Sequence, residues 1–202
     1  HYSGRLAVQQ RVLPSYRVPF FDLLAQACDG GMSLFAGMPR PVEMIASGKP
    51  QVAKLKQADN IHLFGGAFYL CHQRGFVEWL EEWNPDSLIV EANLRYLSTS
   101  SAVRWMHARG RKVIGWGLGS PPLTPTPLPL GEGQRARARL HFMNQCDAML
   151  AYSQRGAEEY VRLGFPREKI FVAHNSVSPA PPFSMPRRPS TFNLRPNILF
   201  VG

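Results

Sequence analysis

The 202-residue chain is 45% hydrophobic and carries 23 lysines and arginines against 14 acidic residues, a formal net charge of +9. This composition is typical of one large or two small globular domains and excludes a disordered chain, and no apolar stretch reaches the roughly 20 residues of a membrane-spanning helix. The positive charge favours an anionic membrane surface, a phosphorylated small molecule or nucleic acid as partner, and is equally compatible with a basic solvated surface. Because nucleic-acid-binding motifs are lacking, nucleic acid is the least favoured partner.

Hydrophobic periodicity predicts strands and helices that alternate along the chain. In chain order, the predicted elements are a strand at 5–10, a helix within 15–31, strands at 32–37 and 60–64, a helix at 76–83, a strand at 87–93, a helix at 100–110, a strand at 112–117, a helix at 135–146, a strand at 147–153, a helix at 154–164 and a strand at 169–175. Most of these strands are continuous apolar runs, which are typical of strands buried on both faces. The sequence therefore predicts an α/β fold, a doubly wound, Rossmann-like parallel sheet of six or seven strands.

Two proline-rich segments interrupt this alternation, at residues 120–133 and 178–196. Proline fixes φ and lacks an amide hydrogen, so neither segment continues a helix or a central strand. The first is expected to be an extended surface excursion, either a lid or an insertion, and the low cost of lengthening a loop favours the insertion. The second is expected to be a linker between a domain at 1–177 and an apolar strand at 197–202 that opens a second domain.

Several common types of site are not favoured by the sequence. The loop after the first strand lacks GxGxxG, and no GxxxxGK[ST] is present, which argues against dehydrogenases and P-loop NTPases. The six histidines form no HxxxH pair, and His62 and His174 are expected to be packed histidines, so no metal site is predicted. The three cysteines are widely spaced, which argues against disulfides and fits a reducing cytoplasm.

One glycine-containing loop is a candidate binding loop. Gly117 and Gly119 follow the predicted strand at 112–117, in the sequence WGLGS. Without Cβ atoms, these residues would let backbone amides approach a phosphate or a sugar, although an ordinary structural turn also explains the pair.

The chain resembles the family 4 glycosyltransferases, retaining enzymes of the two-domain GT-B architecture. The resemblance rests on YRVPFFDLLA at 16–25, VIGWGLG at 113–119, DAMLAYSQRGAEEYVRLGFPREKIFVAHNSV at 147–177, and NILFVG at 197–202 after the linker. It implies the N-terminal, acceptor-side half of an enzyme that transfers a sugar from a nucleotide-sugar with retention. The implied partners are that nucleotide-sugar and a sugar, lipid-linked or small-molecule acceptor. From the positive charge and the cysteine pattern we also expect a cytoplasmic chain in peripheral contact with an anionic membrane, and we expect no metal or other cofactor.

The resemblance also implies a set of cleft residues on the acceptor side. Arg17, near the start of a helix, matches a position that would meet an acceptor phosphate or carboxylate, whereas Tyr16 is equally explained as a packing residue. Asn175 is equally explained as a turn-former. Asn93 and Arg95 are assigned to the same edge by topology alone. The full set of candidates is Tyr16, Arg17, Asn93, Arg95, Gly117, Gly119, Ser153, Asn175 and Ser176.

No catalytic residue is predicted, because WGLG occupies the position at which many relatives carry a histidine. The resemblance places the donor-binding glutamates in a second domain, so we expect this chain alone to be inactive. Two alternatives remain open: a truncated, inactive α/β fragment, and a small-molecule-binding module.

Overall fold

The computed structural model describes residues 1–119 and 132–174, in which one sheet is covered by helices. Its eight strands are β1 (Leu6–Val12), β2 (Met32–Gly37), β3 (Lys54–Leu63), β4 (Leu70–Arg74), β5 (Ser87–Glu91), β6 (Lys112–Gly117), β7 (Ala148–Ala151) and β8 (Ile170–Val172). Their order across the sheet is β4-β3-β2-β1-β5-β6-β7-β8. Neighbouring strands are parallel except β3 and β4, which are antiparallel.

Helices cover both faces of this sheet. The α-helices of the described ranges are α1 (Val18–Gln26), α2 (Phe76–Trp83), α3 (Thr99–His107), α4 (Glu132–Met143) and α5 (Gln154–Arg162). On one face, Phe21 and Ala25 of α1 pack with Val8 and Leu34 of the sheet. On the other face, α2, α3, α4 and α5 contribute to a single larger cluster of buried residues. Each strand in the middle of the sheet is therefore buried on both sides, as its apolar sequence requires.

The predicted α/β fold is confirmed, and the strands at 32–37 and 112–117 and the helix at 76–83 have the predicted bounds. The predicted number of strands was too low, because β4 was missed. Its sequence, LCHQR, has no apolar run, and it pairs antiparallel at the edge of the sheet, where a parallel α/β pattern gives no signal. The strand predicted at 60–64 begins earlier, at Lys54. Its first residues are mostly polar and exposed, so they form no apolar run from which a strand could be predicted.

The topology creates a crevice at the centre of the sheet. From β1 the chain proceeds outward to β2, β3 and β4 on one side, and from β5 it proceeds outward to β6, β7 and β8 on the other. Residues Leu6 to Val8 of β1 pair with Ser87 to Ile89 of β5. In open α/β sheets, ligands bind outside the carboxyl ends of the strands at such a switch point. The residues that follow β1 and β5 are therefore the first candidates for a binding site.

Some predictions lie outside the described residues: residues 120–131 of the excursion predicted at 120–133, the linker at 178–196, the strand at 197–202, and the candidates Asn175 and Ser176. The last two residues of the predicted excursion are helical, because α4 begins at Glu132. Within residues 1–119 and 132–174, none of the helices is long and apolar enough to cross a membrane.

Candidate functional site

Arg17 lies between β1 and α1, in a 3-10 turn at Ser15–Arg17 beside the switch point. Its side chain is buried, and its Nη1 donates hydrogen bonds to Gln10 Oε1 at 2.8 Å and to the Tyr152 hydroxyl at 3.4 Å. The guanidinium carbon lies 4.7 Å from the ring centre of Trp116, 5.3 Å from that of Phe21 and 5.7 Å from that of Tyr152. We call these three rings the aromatic cage. Cation–π attraction to the cage fixes the guanidinium at the carboxyl edge of the sheet.

A network of buried amides lies beneath this edge. Gln9, Gln10 and Gln73 are almost fully buried. Gln9 Nε2 donates to Gln73 Oε1, and Gln73 Nε2 donates to the Gln10 carbonyl at 3.1 Å and to Asn60 Oδ1 at 2.9 Å. Gln9 Oε1 accepts from the Glu91 backbone at 3.0 Å. The network therefore connects β1 with β3, β4 and β5 at the point where the site begins.

An ion-pair cluster continues the edge toward β2 and β3. Glu43 accepts from Arg11 Nη1 at 2.9 Å and from Arg40 Nη2 at 3.0 Å. Partial burial alone would raise the pKa of Glu43, but these hydrogen bonds and the Arg40 amide outweigh it and lower the pKa to about 2. Glu43 is therefore charged throughout the neutral range. Beside the cluster lies a cavity of about 480 Å³ lined in part by Arg40, Asn60 and His62.

Glu91 ends β5 at the switch point. Its Oε2 accepts from the Arg11 amide at 2.7 Å. Burial raises the pKa of Glu91, although that hydrogen bond and the charges of Arg11 and Arg17 act in the opposite direction. Glu91 and Arg17 therefore interact electrostatically, and no ion pair between them is found among the described residues.

The two candidate glycines pack against α5. A Cβ on Gly117 would lie 2.6 Å from the Tyr160 hydroxyl oxygen. Gly119 has a φ of +102°, and a Cβ there would lie 2.5 Å from Gly156 Cα. The Gly119 amide donates to the Tyr160 hydroxyl at 3.2 Å. These two glycines therefore allow α5 to pack closely against the end of β6 and the residues that follow it. The Gly119 amide is already hydrogen-bonded to Tyr160.

The remaining described candidates have local partners. Ser153 caps α5, where its Oγ accepts from the Gly156 amide at 3.1 Å. Asn93 Oδ1 accepts from the Arg95 amide at 3.0 Å, and the Arg95 carbonyl accepts from the Cys71 amide at 2.8 Å, which holds this loop against β4. The Arg95 side chain is exposed. Tyr16 is 52% exposed and is therefore not a core residue.

The structure thus places Arg17, Gly117, Gly119 and Ser153 at the carboxyl ends of β1, β6 and β7, with Asn93 and Arg95 after β5. Sequence reasoning missed the groups that surround Arg17, namely Gln10, Glu91, Trp116 and Tyr152. One signal was present, because two adjacent glutamines inside the otherwise apolar strand RLAVQQ must find buried partners.

No group of three or more histidine, cysteine, aspartate or glutamate side chains able to hold a metal occurs among the described residues. His62 lies in β3, where its Nδ1 is 2.9 Å from the Tyr69 hydroxyl. Burial and the charges of Arg11 and Arg40 lower the pKa of His62, which favours the neutral imidazole.

Comparison with known families identifies the group to which the chain is related. The family model described as Glycosyltransferase Family 4 matches residues 35–180, more than half of the chain. The chain belongs to glycosyltransferase family 4. The family and the fold predicted from the sequence, those of the N-terminal domain of a GT-B glycosyltransferase, are confirmed. No curated protein sequence matches the chain.

Solved structures are similar to this family 4 chain at low sequence identity, and the likeness to the first of those described below, whose TM-score exceeds 0.5, supports the fold. Anabaena Alr3699/HepE in complex with UDP-glucose has a TM-score of 0.51 and 10% identity, over 85% of this chain and 44% of that protein. UDP-GlcNAc 2-epimerase from Neisseria meningitidis, bound to UDP-GlcNAc, has a TM-score of 0.49 and 14% identity, over 86% and 47%. The lipopolysaccharide outer core galactosyltransferase WaaB has a TM-score of 0.47 and 15% identity, over 86% and 46%. The chain therefore spans less than half the length of these proteins.

Proposed function

We propose that this chain is the acceptor-side half of a glycosyltransferase that transfers a sugar from a nucleotide-sugar with retention at the anomeric carbon. The observation that carries the proposal is the family 4 match over residues 35–180, in a fold whose switch point carries buried polar groups. The nucleotide-sugar is supported by HepE, a protein of the same fold whose structure contains UDP-glucose. The acceptor is a sugar, a lipid-linked sugar or another small molecule, and it binds at the edge that carries Arg17. No metal is part of the proposal.

The isolated chain is expected neither to transfer sugar nor to bind the donor tightly. A cleft with one wall buries too little of a ligand for strong affinity, and the proposal assigns most donor contacts to a second domain. Calorimetric titration of the 202-residue chain with UDP-glucose and with GDP-mannose is expected to give weak binding at most. Micromolar affinity, or measurable hydrolysis or transfer by the purified chain, would contradict the proposal that a second domain makes most of the contacts to the donor and is needed for transfer.

We also propose that the chain works in the cytoplasm in peripheral contact with an anionic membrane. Beyond the net charge of +9, the specific observation is the turn between β3 and β4, where Phe64 is 75% exposed and Phe68 is 66% exposed. Phe64 has a φ of +59°, a left-handed conformation that costs energy for a bulky residue. An exposed pair of aromatic rings on a tight, glycine-containing turn is suited to enter the headgroup region of a bilayer, and surface arginines would add electrostatic attraction.

Replacing Phe64 with serine is expected to weaken binding to anionic vesicles about tenfold, because the ring no longer transfers from water into the interface. Binding is measured by co-sedimentation with phosphatidylcholine vesicles that contain or lack phosphatidylglycerol. Phe171→Ser is the matched control, since Phe171 is 57% exposed but lies in β8, at the opposite end of the strand order. An equal loss in both variants, or no vesicle binding by the unmodified chain, would refute the membrane contact.

A further inference from the structure

A cavity of about 470 Å³ lies at the amino ends of β1, β2 and β3. The residues that line it include Arg5, Ser33, Lys54, Lys56 and Trp83. Because the amino ends of parallel strands meet at one edge of a sheet, this cavity is at the opposite edge from the switch point, where the proposed acceptor binds. Its volume is within the range of about 300–1,000 Å³ that is usual for small-molecule sites.

Two lysines of β3 occupy positions that face a helix. Lys54, Lys56 and Ala58 alternate along the strand and therefore share one face of the sheet. Ala58 belongs to the cluster of buried residues to which α2 contributes, so this is the face that α2 covers. Lys54 Nζ lies 5.1 Å from the ring centre of Trp83, and Lys56 Nζ lies 2.6 Å from Glu82 Oε2, both on α2. A strand beneath a helix ordinarily carries apolar residues at such positions, and departures from that pattern are typical of functional sites.

The neighbouring strands also contribute polar side chains to this cavity. Ser33 lies beside Lys54 in the register of β2 and β3, and its Oγ accepts from Trp79 Nε1 at 2.9 Å and donates to the Lys54 carbonyl at 3.1 Å. The guanidinium carbon of Arg5, directly before β1, lies 5.8 Å from the ring centre of Trp83. Its Nη1 donates to the Trp83 carbonyl at 3.4 Å. Positions at the start of three adjacent strands thus place polar groups around one cavity.

The charges around the cavity do not cancel. Glu82 pairs with Lys56, and Asp86 accepts from the Arg5 backbone amide at 2.7 Å. No aspartate or glutamate among the described residues forms an ion pair with the ammonium of Lys54 or the guanidinium of Arg5. Because both of these cations contact the same indole ring, they repel each other, and an anionic ligand that contacts both would offset the repulsion.

We propose that this cavity is a second binding site, which takes a ligand that carries a phosphate monoester. At pH 7 a phosphate monoester has a charge of about −1.5 to −2, which matches Lys54 and Arg5 together, whereas a carboxylate has a single charge. The Lys54 ammonium supplies a point charge, and the Arg5 guanidinium supplies N–H donors in one plane. The cavity has room for a sugar-sized group beside the phosphate. Because the site lies at the amino edge, its ligand is neither the donor nor the acceptor of the proposed transfer, and the inference does not rest on that function.

The experiment follows the indole N–H resonance of Trp83 by NMR in the isotope-labelled 202-residue chain. This group reports on the site because Trp83 Nε1 is held by the Leu6 carbonyl at 3.1 Å and both cations contact the ring. The probes are glucose 1-phosphate, glucuronate and glucose. Glucose 1-phosphate is expected to shift the resonance saturably, glucuronate to bind at least tenfold more weakly, and glucose to have no effect. An equal affinity for glucuronate, a saturable response to glucose, or no response to glucose 1-phosphate overturns the proposal.

Variants separate a specific site from general attraction by a basic protein. Lys54→Gln and Arg5→Gln are each expected to weaken the binding of glucose 1-phosphate at least tenfold. Lys169→Gln is the matched control, because it removes the same charge from an exposed lysine that precedes β8, at the far end of the strand order. Equal weakening in Lys169→Gln, or unchanged binding in Lys54→Gln, would overturn the proposal. If Arg5→Gln does not fold, Lys54→Gln, which changes an exposed side chain, still decides the question.

Vesicles distinguish the two sources of a phosphate monoester, a soluble molecule and a lipid headgroup. Co-sedimentation is measured with phosphatidylcholine vesicles that contain phosphatidic acid, whose headgroup is a phosphate monoester. Binding that is weakened by Lys54→Gln and displaced by glucose 1-phosphate assigns the lipid headgroup. Binding that neither change affects, or no binding, assigns a soluble ligand when the Trp83 resonance responds to glucose 1-phosphate. Without that response the proposal is overturned, whatever the vesicles show.

Discussion

Replacing Trp79 with alanine is expected to lower the free energy of unfolding by about 3–5 kcal/mol, the usual cost of truncating a large buried aromatic side chain. Trp79 is 2% exposed and stacks on Phe35 of β2 at 5.1 Å between ring centres, with Phe76 at 5.9 Å. Its Nε1 donates to Ser33 Oγ at 2.9 Å. The ring thus attaches α2 to the sheet by packing and by a hydrogen bond, and alanine removes both. Such a loss is a large fraction of the stability of a typical domain.

Urea unfolding followed by circular dichroism measures this effect. Trp79→Phe keeps a ring in the stack and loses the indole hydrogen bond, so a smaller loss of about 1–2 kcal/mol is expected. Phe171→Ala, at an exposed position, is expected to stay within about 0.5 kcal/mol of the unmodified chain. A similar loss for Trp79→Ala and Phe171→Ala would show that α2 does not depend on this ring.

The fold was predictable because the central strands obey a local rule. Met32–Gly37 and Lys112–Gly117 are apolar runs bounded by turn residues, and their bounds agree with the prediction. β4 breaks the rule. Leu70–Arg74 is held in place by antiparallel pairing with β3, with Ile61 opposite His72, and by the buried Gln73, whose side-chain partners lie on β1 and β3. Hydrophobic periodicity is a property of one segment, so it does not show which strand that segment pairs with or which residues bond to its buried polar side chains.

The candidate site was predictable only in part, for a related reason. Topology places residues after β1, β5, β6 and β7 at one edge, and Arg17 was named there because it matches the family resemblance. Its partner Tyr152 is 135 positions away, and the third ring of the cage comes from β6, so the cage exists only after the sheet has formed. The two glycines show the reverse case, since their sequence suggested a ligand, whereas their neighbours are atoms of α5.

Replacing Gln73 with leucine is expected to lower the free energy of unfolding by about 2–4 kcal/mol, although leucine is similar in size and less polar. The change leaves Gln9 Nε2, the Gln10 carbonyl and Asn60 Oδ1 without the hydrogen bonds that Gln73 supplies. An unsatisfied buried polar group costs about 1–3 kcal/mol. Asn60 contributes less to the loss, because it is only partly buried and its Oδ1 can accept a hydrogen bond from water instead.

Urea unfolding of Gln73→Leu measures this loss, and Gln57→Leu is the matched control. Gln57 is exposed on β3, so the same substitution there is expected to change stability by less than about 0.5 kcal/mol. A second readout links the network to the site. Gln73 bonds to the backbone of Gln10, whose side chain holds Arg17, so the Arg17 Nε–Hε resonance of the ligand-free chain is expected to move in Gln73→Leu and to stay in place in Gln57→Leu. Equal stability of the two variants would show that the amide network contributes little to the fold. An unchanged Arg17 resonance in Gln73→Leu would show that the network stabilises the sheet without positioning the guanidinium.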